Sequence, residues 1–186
     1  MFSKKWSARI GRRLARAQQT MRVRIARDEL RRLRELTGTI NQLEREITTL
    51  VTKIAPQLLS EPGFGPLIAA KLVGEIAGAQ RFTTHAKLAR AAGVAPIPAS
   101  SGNTQRHRLD QGGNRQINAA LHRVIVTRAR CHTPTRDYIE RRRSEGKSTR
   151  EAIRCLKRYL ARRVWQLLQP AGPTPDQAIN TSIKLT

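Results

Sequence analysis

From Leu33 onward, apolar residues recur at heptad spacing. Leu33, Leu36, Ile40, Leu43, Ile47, Leu50 and Ile54 are separated by three, four, three, four, three and four residues. Ile favoured at one seam position and Leu at the other predicts a coiled coil and suits two parallel strands. A long helix lying on its own domain is the alternative, but so narrow a seam among mostly polar neighbours favours the coiled coil. Gly38 and the threonines Thr37, Thr39, Thr48, Thr49 and Thr52 lower its intrinsic helicity, so it needs the rest of the molecule to hold it. Pro56 ends this element, which is assigned to residues 30–56.

Beyond Pro56 the pattern predicts shorter helices. Leu58-Leu59 and the run Ser60-Glu61-Pro62-Gly63-Phe64-Gly65-Pro66 precede an apolar helix through Leu67, Ile68, Leu72, Val73 and Ile76. This is the pattern of a helix-hairpin-helix. Gly63 and Gly65 would let backbone approach a phosphate, and Pro66 fits a first helical turn whose free N–H groups favour an anion. A plain turn between helices is the alternative. Thr84 to Ala92 predicts a third helix, capped by Thr83 or Thr84 and stopped by Gly93. Val94 to Asn103 carries prolines, serines and glycine, so it is extended and then turned. Asn114 reads as the cap of a helix with Ile117, Leu121, Val124 and Ile125 on one face and Arg115, Arg123 and Arg130 on the other; Arg128 falls at the end of the apolar side. Thr133-Pro134 opens a helix that Gly146 closes. Ser148 to Glu151 is a capping box. It starts a helix with Ile153, Leu156, Leu160, Val164 and Leu167 inside, Arg154, Arg158 and Arg162 outward, and Lys157 and Arg163 at the margins. The fold class is all-α: a basic arm (1–29), the coiled coil, a compact helical domain (57–169) and a disordered tail (170–186).

Charge turns this framework toward a partner. Lys and Arg number 36 against 13 Asp and Glu, a formal net charge of +23. Such an excess opposes compaction and is relieved when a polyanion docks. Arginine, which dominates, suits bidentate contacts to phosphate and guanine. Nucleic-acid binding is therefore the expected class, ahead of a ribosomal-type or membrane-surface protein. No apolar stretch approaches the ~20 residues that span a bilayer, and Met1 to Thr20 lacks the apolar core of a secretory signal. Two cysteines form neither a disulfide framework nor a four-cysteine zinc site; a reducing cytoplasm, with nucleoid association, is the expected location. His122, Cys131, His132 and Cys155 lack metal-ligand spacing and read as buried thiols and surface imidazoles.

Ser101 precedes Gly102 in the irregular segment, with Arg106, His107, Arg108 and Arg115 close behind. A serine attacking a phosphodiester needs an exposed hydroxyl and cations around the crowded phosphorus. Taken by itself, Ser100-Ser101-Gly102-Asn103 reads more readily as turn chemistry. Larger strings shift that balance. Glu61-Pro62-Gly63-Phe64-Gly65-Pro66-Leu67-Ile68-Ala69-Ala70-Lys71-Leu72, Ala95-Pro96-Ile97-Pro98-Ala99-Ser100-Ser101-Gly102, Gly112-Gly113-Asn114-Arg115-Gln116, Arg130-Cys131-His132 and Arg154-Cys155-Leu156-Lys157-Arg158 together resemble the C-terminal part of the IS-one-ten family of transposases. The resemblance covers most of residues 30–167. It implies a serine nucleophile at Ser101, with Ser100 as the alternative register, and DNA contacts by Gly63, Gly65, Lys71, Arg106, Arg108, Asn114, Arg115 and Arg123. It also implies DNA and a structured guide (bridge) RNA as partners, and Mg2+ held by an acidic DEDD tetrad in a RuvC-like domain of full-length members. Residues 1–30 hold only Asp28 and Glu29 as acids and no α/β pattern, so that domain is not expected in this chain, and neither is a cofactor site. Two readings remain: the serine-bearing part of an enzyme that needs a DEDD partner, or a non-catalytic DNA- or RNA-binding module that self-associates through Leu33–Ile54.

Overall fold

The computed structural model describes residues 4–98, 107, 108, 110 and 112–169. Among them are eight α-helices and one two-stranded ladder, so the protein is all-α as its pattern predicts. It divides into two compact units, residues 1–50 and 51–186. The tail expectation for 170–186 lies outside the described residues.

In the first unit, helix α1 (Lys4–Arg16) folds back on the start of helix α2 (Met21–Ile54). Ser7, Ile10, Gly11 and Leu14 recur at three- and four-residue spacing and are its shielded positions. The two helices are locked by Arg34, whose Nε donates to Ser7 Oγ at 2.9 Å and whose Nη2 donates to the Ser7 carbonyl at 2.9 Å. Gly11 makes room for that guanidinium, which a Cβ would meet at 2.7 Å. The segment, expected as a basic arm or a helix solvated without a partner, is a helix that Arg34 ties to α2. A buried serine and a glycine do the work of apolar contacts, which is why its sparse hydrophobic pattern gave no hint of packing. Helix α2 runs unbroken through residue 30, where the change is one of periodicity alone.

The heptad positions Leu36, Ile40, Leu43 and Leu50 are exposed, and Ile47 is half-buried. Thr37, Thr39, Thr48 and Thr49 donate their hydroxyls to the carbonyls four residues earlier, which satisfies the hydroxyls within the helix at a small cost to its stability.

The second unit begins at Val51, which is buried. Its helices are α3 (Pro56–Leu59), α4 (Pro66–Ile76), α5 (His85–Ala91), α6 (Arg115–Cys131), α7 (Thr133–Ser144) and α8 (Thr149–Leu167). Helix α6 is central, packing on α4, α7 and α8, while α5 packs on α8. Leu58, Leu72, Ile76, Leu88, Leu121, Val124, Ile125 and Val164 fill the core. The caps fall where the sequence puts them. Thr84 accepts from Lys87 N, Asn114 from Gln116 N and Ile117 N, and Ser148 and Glu151 form the reciprocal box. Hydrogen bonds from the Ser148 hydroxyl and amide hold the Glu151 carboxyl below its ordinary pKa.

The buried face of α8 is rotated from the expected one. Ala152, Lys157, Leu160, Ala161 and Val164 are buried, whereas Ile153, Leu156, Leu167 and Arg158 are half-buried. Helices approach most closely where side chains are small, so the two alanines, not the larger flanking residues, mark the contact. The cysteines also depart from expectation: Cys131 is exposed in the last turn of α6 and Cys155 is half-buried.

Candidate nucleic-acid interface

The turn from Ser60 to Gly65 is fastened to the rest of the unit by Glu61. Its carboxylate accepts from Arg128 Nη2 at 2.9 Å and Arg163 Nε at 2.7 Å, tying the turn to α6 and α8. Arg128 also donates from Nε to the Pro62 carbonyl at 2.7 Å and lies over the Phe64 ring at 5.6 Å. Phe64 itself is buried. The two glycines of the turn then have different jobs. Gly63 has φ +81, and a Cβ there would lie 3.1 Å from Arg128 Cγ and 3.1 Å from the Val124 carbonyl oxygen. Its demand is packing against α6. Gly65 has ordinary extended backbone, precedes Pro66 at the uncapped start of α4, and would place a Cβ in open space. Of the two, Gly65 is the one with open space at its Cα, while its carbonyl accepts from the Ile68 and Ala69 amides. Lys71, farther along α4, is half-exposed and has no ion-pair partner among the described residues.

The serine-bearing segment has a built base. Strand β1 (Ile97–Pro98) pairs antiparallel with β2 (His107–Arg108), Ile97 opposite Arg108 and Pro98 opposite His107. Ser100, Ser101 and Arg106 lie between these strands, outside the described residues; of Arg108 the backbone is described. Below the ladder the two ends of the segment cross at Gly93 and Gly113. A Cβ on Gly113 would sit 2.0 Å from the Gly93 nitrogen, so only two glycines can cross there. Gly93 has φ +63, and the Asn114 amide donates to the Ala91 carbonyl at 2.6 Å.

Polar side chains reinforce that crossing. Asp110 is buried; its Oδ1 accepts from the Gly112 amide at 3.0 Å and its Oδ2 lies 3.2 Å from Arg90 Nη1. Asn118 donates Nδ2 to the carbonyls of Ala92 and Gly93, both at 3.1 Å, while its Oδ1 accepts from Lys157 Nζ at 2.8 Å. Burial, with Arg154 adding to it, pushes the pKa of Lys157 down. Asn114 is engaged on both sides of its amide, since Nδ2 donates to Glu75 Oε2 at 2.8 Å and Oδ1 caps α6. It is therefore a joint between α4 and α6. None of Glu61, Glu75, Asp110, Asn118 and Lys157 stood out in the sequence as part of a site. The available signal was polarity at core spacing: Asn118 lies one residue from Ile117 and three from Leu121, and Lys157 four from Ile153 and three from Leu160.

Arg115 and Arg123 are exposed on α6, without ion-pair partners among the described residues. At a rise of 1.5 Å per residue, Val124, in the middle of their helix, lies about 15 Å along it from the Asn114 cap. The turn thus meets α6 beyond its midpoint, near Val124 and Arg128, whereas the crossing meets it at the Asn114 cap. Among the described residues no group of three His, Cys, Asp or Glu side chains could hold a metal ion. The Mg2+ that the resemblance implies for longer family members has no ligand set there. No helix is long and apolar enough to cross a membrane.

Residues 55–140, which contain the turn, the crossing, the β ladder and α6, match the model of the transposase IS116/IS110/IS902 family. They are a transposase region of that family. The chain is similar to an uncharacterized 43.6 kDa protein of insertion element IS110 from Streptomyces coelicolor, with 34% identity over 119 residues, 62% of this chain and 29% of that protein. It is also similar to an uncharacterized 44.8 kDa protein of insertion element IS116 from Streptomyces clavuligerus, with 29% identity over 160 residues, 81% of this chain and 40% of that protein. A 42 kDa protein of insertion element IS900 from Mycobacterium paratuberculosis matches with 29% identity over 114 residues, 60% of this chain and 29% of its own length. The matches thus span well under half of each relative's length.

The two kinds of glycine separate experimentally. Gly113→Ala is expected to cost about 3 kcal/mol or more, because backbone must move to admit the methyl group, whereas Gly65→Ala should stay within about 1 kcal/mol. Urea midpoints at unchanged slope would measure both; equal losses would mean the crossing is not rigid.

Proposed function

We propose that this chain is the DNA-binding, serine-bearing part of a transposase of this family, with Ser101 as nucleophile and Ser100 as the alternative register. The observation that supports it most is the closed base of the serine-bearing segment, built from a glycine crossing, a β ladder and a buried Lys-Asn relay, beside the exposed Arg115. A turn without a task would not require that much fixed structure. In the reaction, Ser101 Oγ bonds to phosphorus as the bond from phosphorus to one strand end breaks, and the departing strand hydroxyl carries the proton. The phosphoserine link conserves the phosphodiester, so rejoining needs no ATP. Arg106, Arg108 and Arg115 neutralise the crowded phosphate.

Duplex DNA is held through its backbone by the start of α4 at Gly65, in the manner of a helix-hairpin-helix, and by Lys71 and Arg123. A guide RNA uses the same cationic surfaces, and nucleoid association follows from DNA binding. The exposed Ile/Leu seam of α2 joins two copies of the chain. A second reading is a module that occupies DNA or RNA without cutting it and self-associates through the same seam.

Duplex affinity should fall by about 10³-fold or more between about 50 and 200 mM salt. Gly65→Val should weaken it without unfolding the protein; a salt-independent affinity would sink the backbone-contact reading. For the seam, Ile40→Asp with Ile47→Asp buries unpaired charge and should convert the oligomer to monomer in light scattering. An unchanged mass would reject self-association through α2. Alone, the chain should bind DNA without breaking it. Mixed with a DEDD-bearing family protein and a guide RNA, it should form a covalent protein–DNA adduct that Ser101→Ala removes while binding persists. An adduct lost with Ser100→Ala instead shifts the register by one, and one that survives both substitutions refutes serine catalysis.

A further inference from the structure

We propose that the outer face of α1 is a docking surface for an unpaired nucleic-acid strand, with Trp6 as the ring on which a base stacks. This surface lies wholly in the first unit and does not rest on the duplex reading of the second.

With Ser7, Ile10, Gly11 and Leu14 turned toward α2, the exposed positions of α1 include Lys5, Trp6, Arg9, Arg12, Arg13 and Arg16. No acid interrupts them. Arg34 fixes the helix from beneath, so this face has a defined orientation on α2. Trp6 is 55% exposed. A large apolar ring left in water on an otherwise cationic face gains nothing for folding; burying it against a partner recovers that area. The Arg9 guanidinium lies over the ring at 5.2 Å and holds its orientation by cation–π attraction. One ring face is thereby covered by a cation, and the opposite face remains for a planar partner.

An aromatic ring beside a row of cations is the arrangement that holds single strands: every base has a π-face, and the backbone follows the positive charge. The rise from Trp6 to Arg16 is about 15 Å, close to four phosphate spacings of a stacked strand at about 3.4 Å each. Duplex DNA would present its phosphates to the arginines but keep its bases stacked inside, leaving Trp6 unused. A single strand uses both. Unpaired DNA and unpaired RNA share this chemistry.

The test uses the full chain and its intrinsic tryptophan fluorescence. Oligothymidylate and oligouridylate are titrated into the wild type, Trp6→Phe and Trp6→Ala, with a blunt duplex of equal length and phosphatidylglycerol vesicles as further arms. The expected result is quenching in the wild type that is absent in Trp6→Phe. Trp6→Ala should weaken single-strand affinity by about tenfold, Trp6→Phe should retain most of it, and duplex affinity should change by less than about twofold. Whichever oligonucleotide binds more tightly identifies the strand as DNA or RNA. Equal losses for single strand and duplex would overturn the proposal, as would vesicles that quench Trp6 where oligonucleotides do not. Should Trp6→Ala lose helicity, the difference in quenching between wild type and Trp6→Phe still decides.

Discussion

A chain with 36 cations and 13 acids must fold against its own charge, and the second unit does so by placing acids where helices meet. Glu61 draws Arg128 and Arg163 together and thereby fastens the turn to α6 and α8. Glu75 receives Asn114 and joins α4 to α6. Asp110 is shared between Arg90 and the Gly112 amide, and Glu151 closes the capping box of α8. Each of these carboxylates serves two donors or bridges two elements. Partly shielded pairs such as Glu61–Arg128 are worth more than surface pairs because solvent screens them less. Glu61, Glu75 and Asp110 thus set counter-charge at joints of the packed core.

The same placement decides which cations are left for a partner. Arg90, Arg128 and Arg163 have acids against them. Lys157 is buried in a relay that supports the Gly93 carbonyl. A buried ammonium facing one amide oxygen is poorly compensated, and the depressed pKa reflects that. Its position suggests what it maintains: the crossing of the two chain ends on which the serine-bearing segment stands.

Local signals were legible in the sequence. The capping residues Thr84, Asn114 and Ser148 announce helix starts because a cap is settled within three residues. The Ile/Leu heptads were visible for the same reason, and so was the apolar face of α6. Joints were not. The partners of Glu61 lie 67 and 102 residues away, and nothing near Gly113 says that it will lie against Gly93. Packing between α1 and α2 was hidden because Ser7 and Gly11 occupy places where a pattern search looks for leucine. On α8 the apolar periodicity points to Ile153, Leu156 and Leu167, whereas the small residues Ala152 and Ala161 are buried, because small side chains let helices meet closely.

Gly63 and Gly65 show how the structure narrows the DNA interface that the sequence suggested. Read as a string, they are equivalent, two flexible positions flanking a phenylalanine. In three dimensions Gly63 faces inward, and its left-handed backbone exists so that Pro62 and Phe64 can engage Arg128. The arginine nearest the turn is consequently occupied by the turn itself. Any phosphate held at the start of α4 must be met by the backbone near Gly65 and by cations that no acid has claimed. Among the described residues Lys71 and Arg123 have no ion-pair partner; Arg123 shares α6 with Arg115, about 12 Å apart along the helix, and the core face of α6 is fixed by Ile117, Leu121, Val124 and Ile125. Orientation of the cationic face is thus a consequence of core packing, so a substitution that rotated α6 would move those arginines without touching any of them.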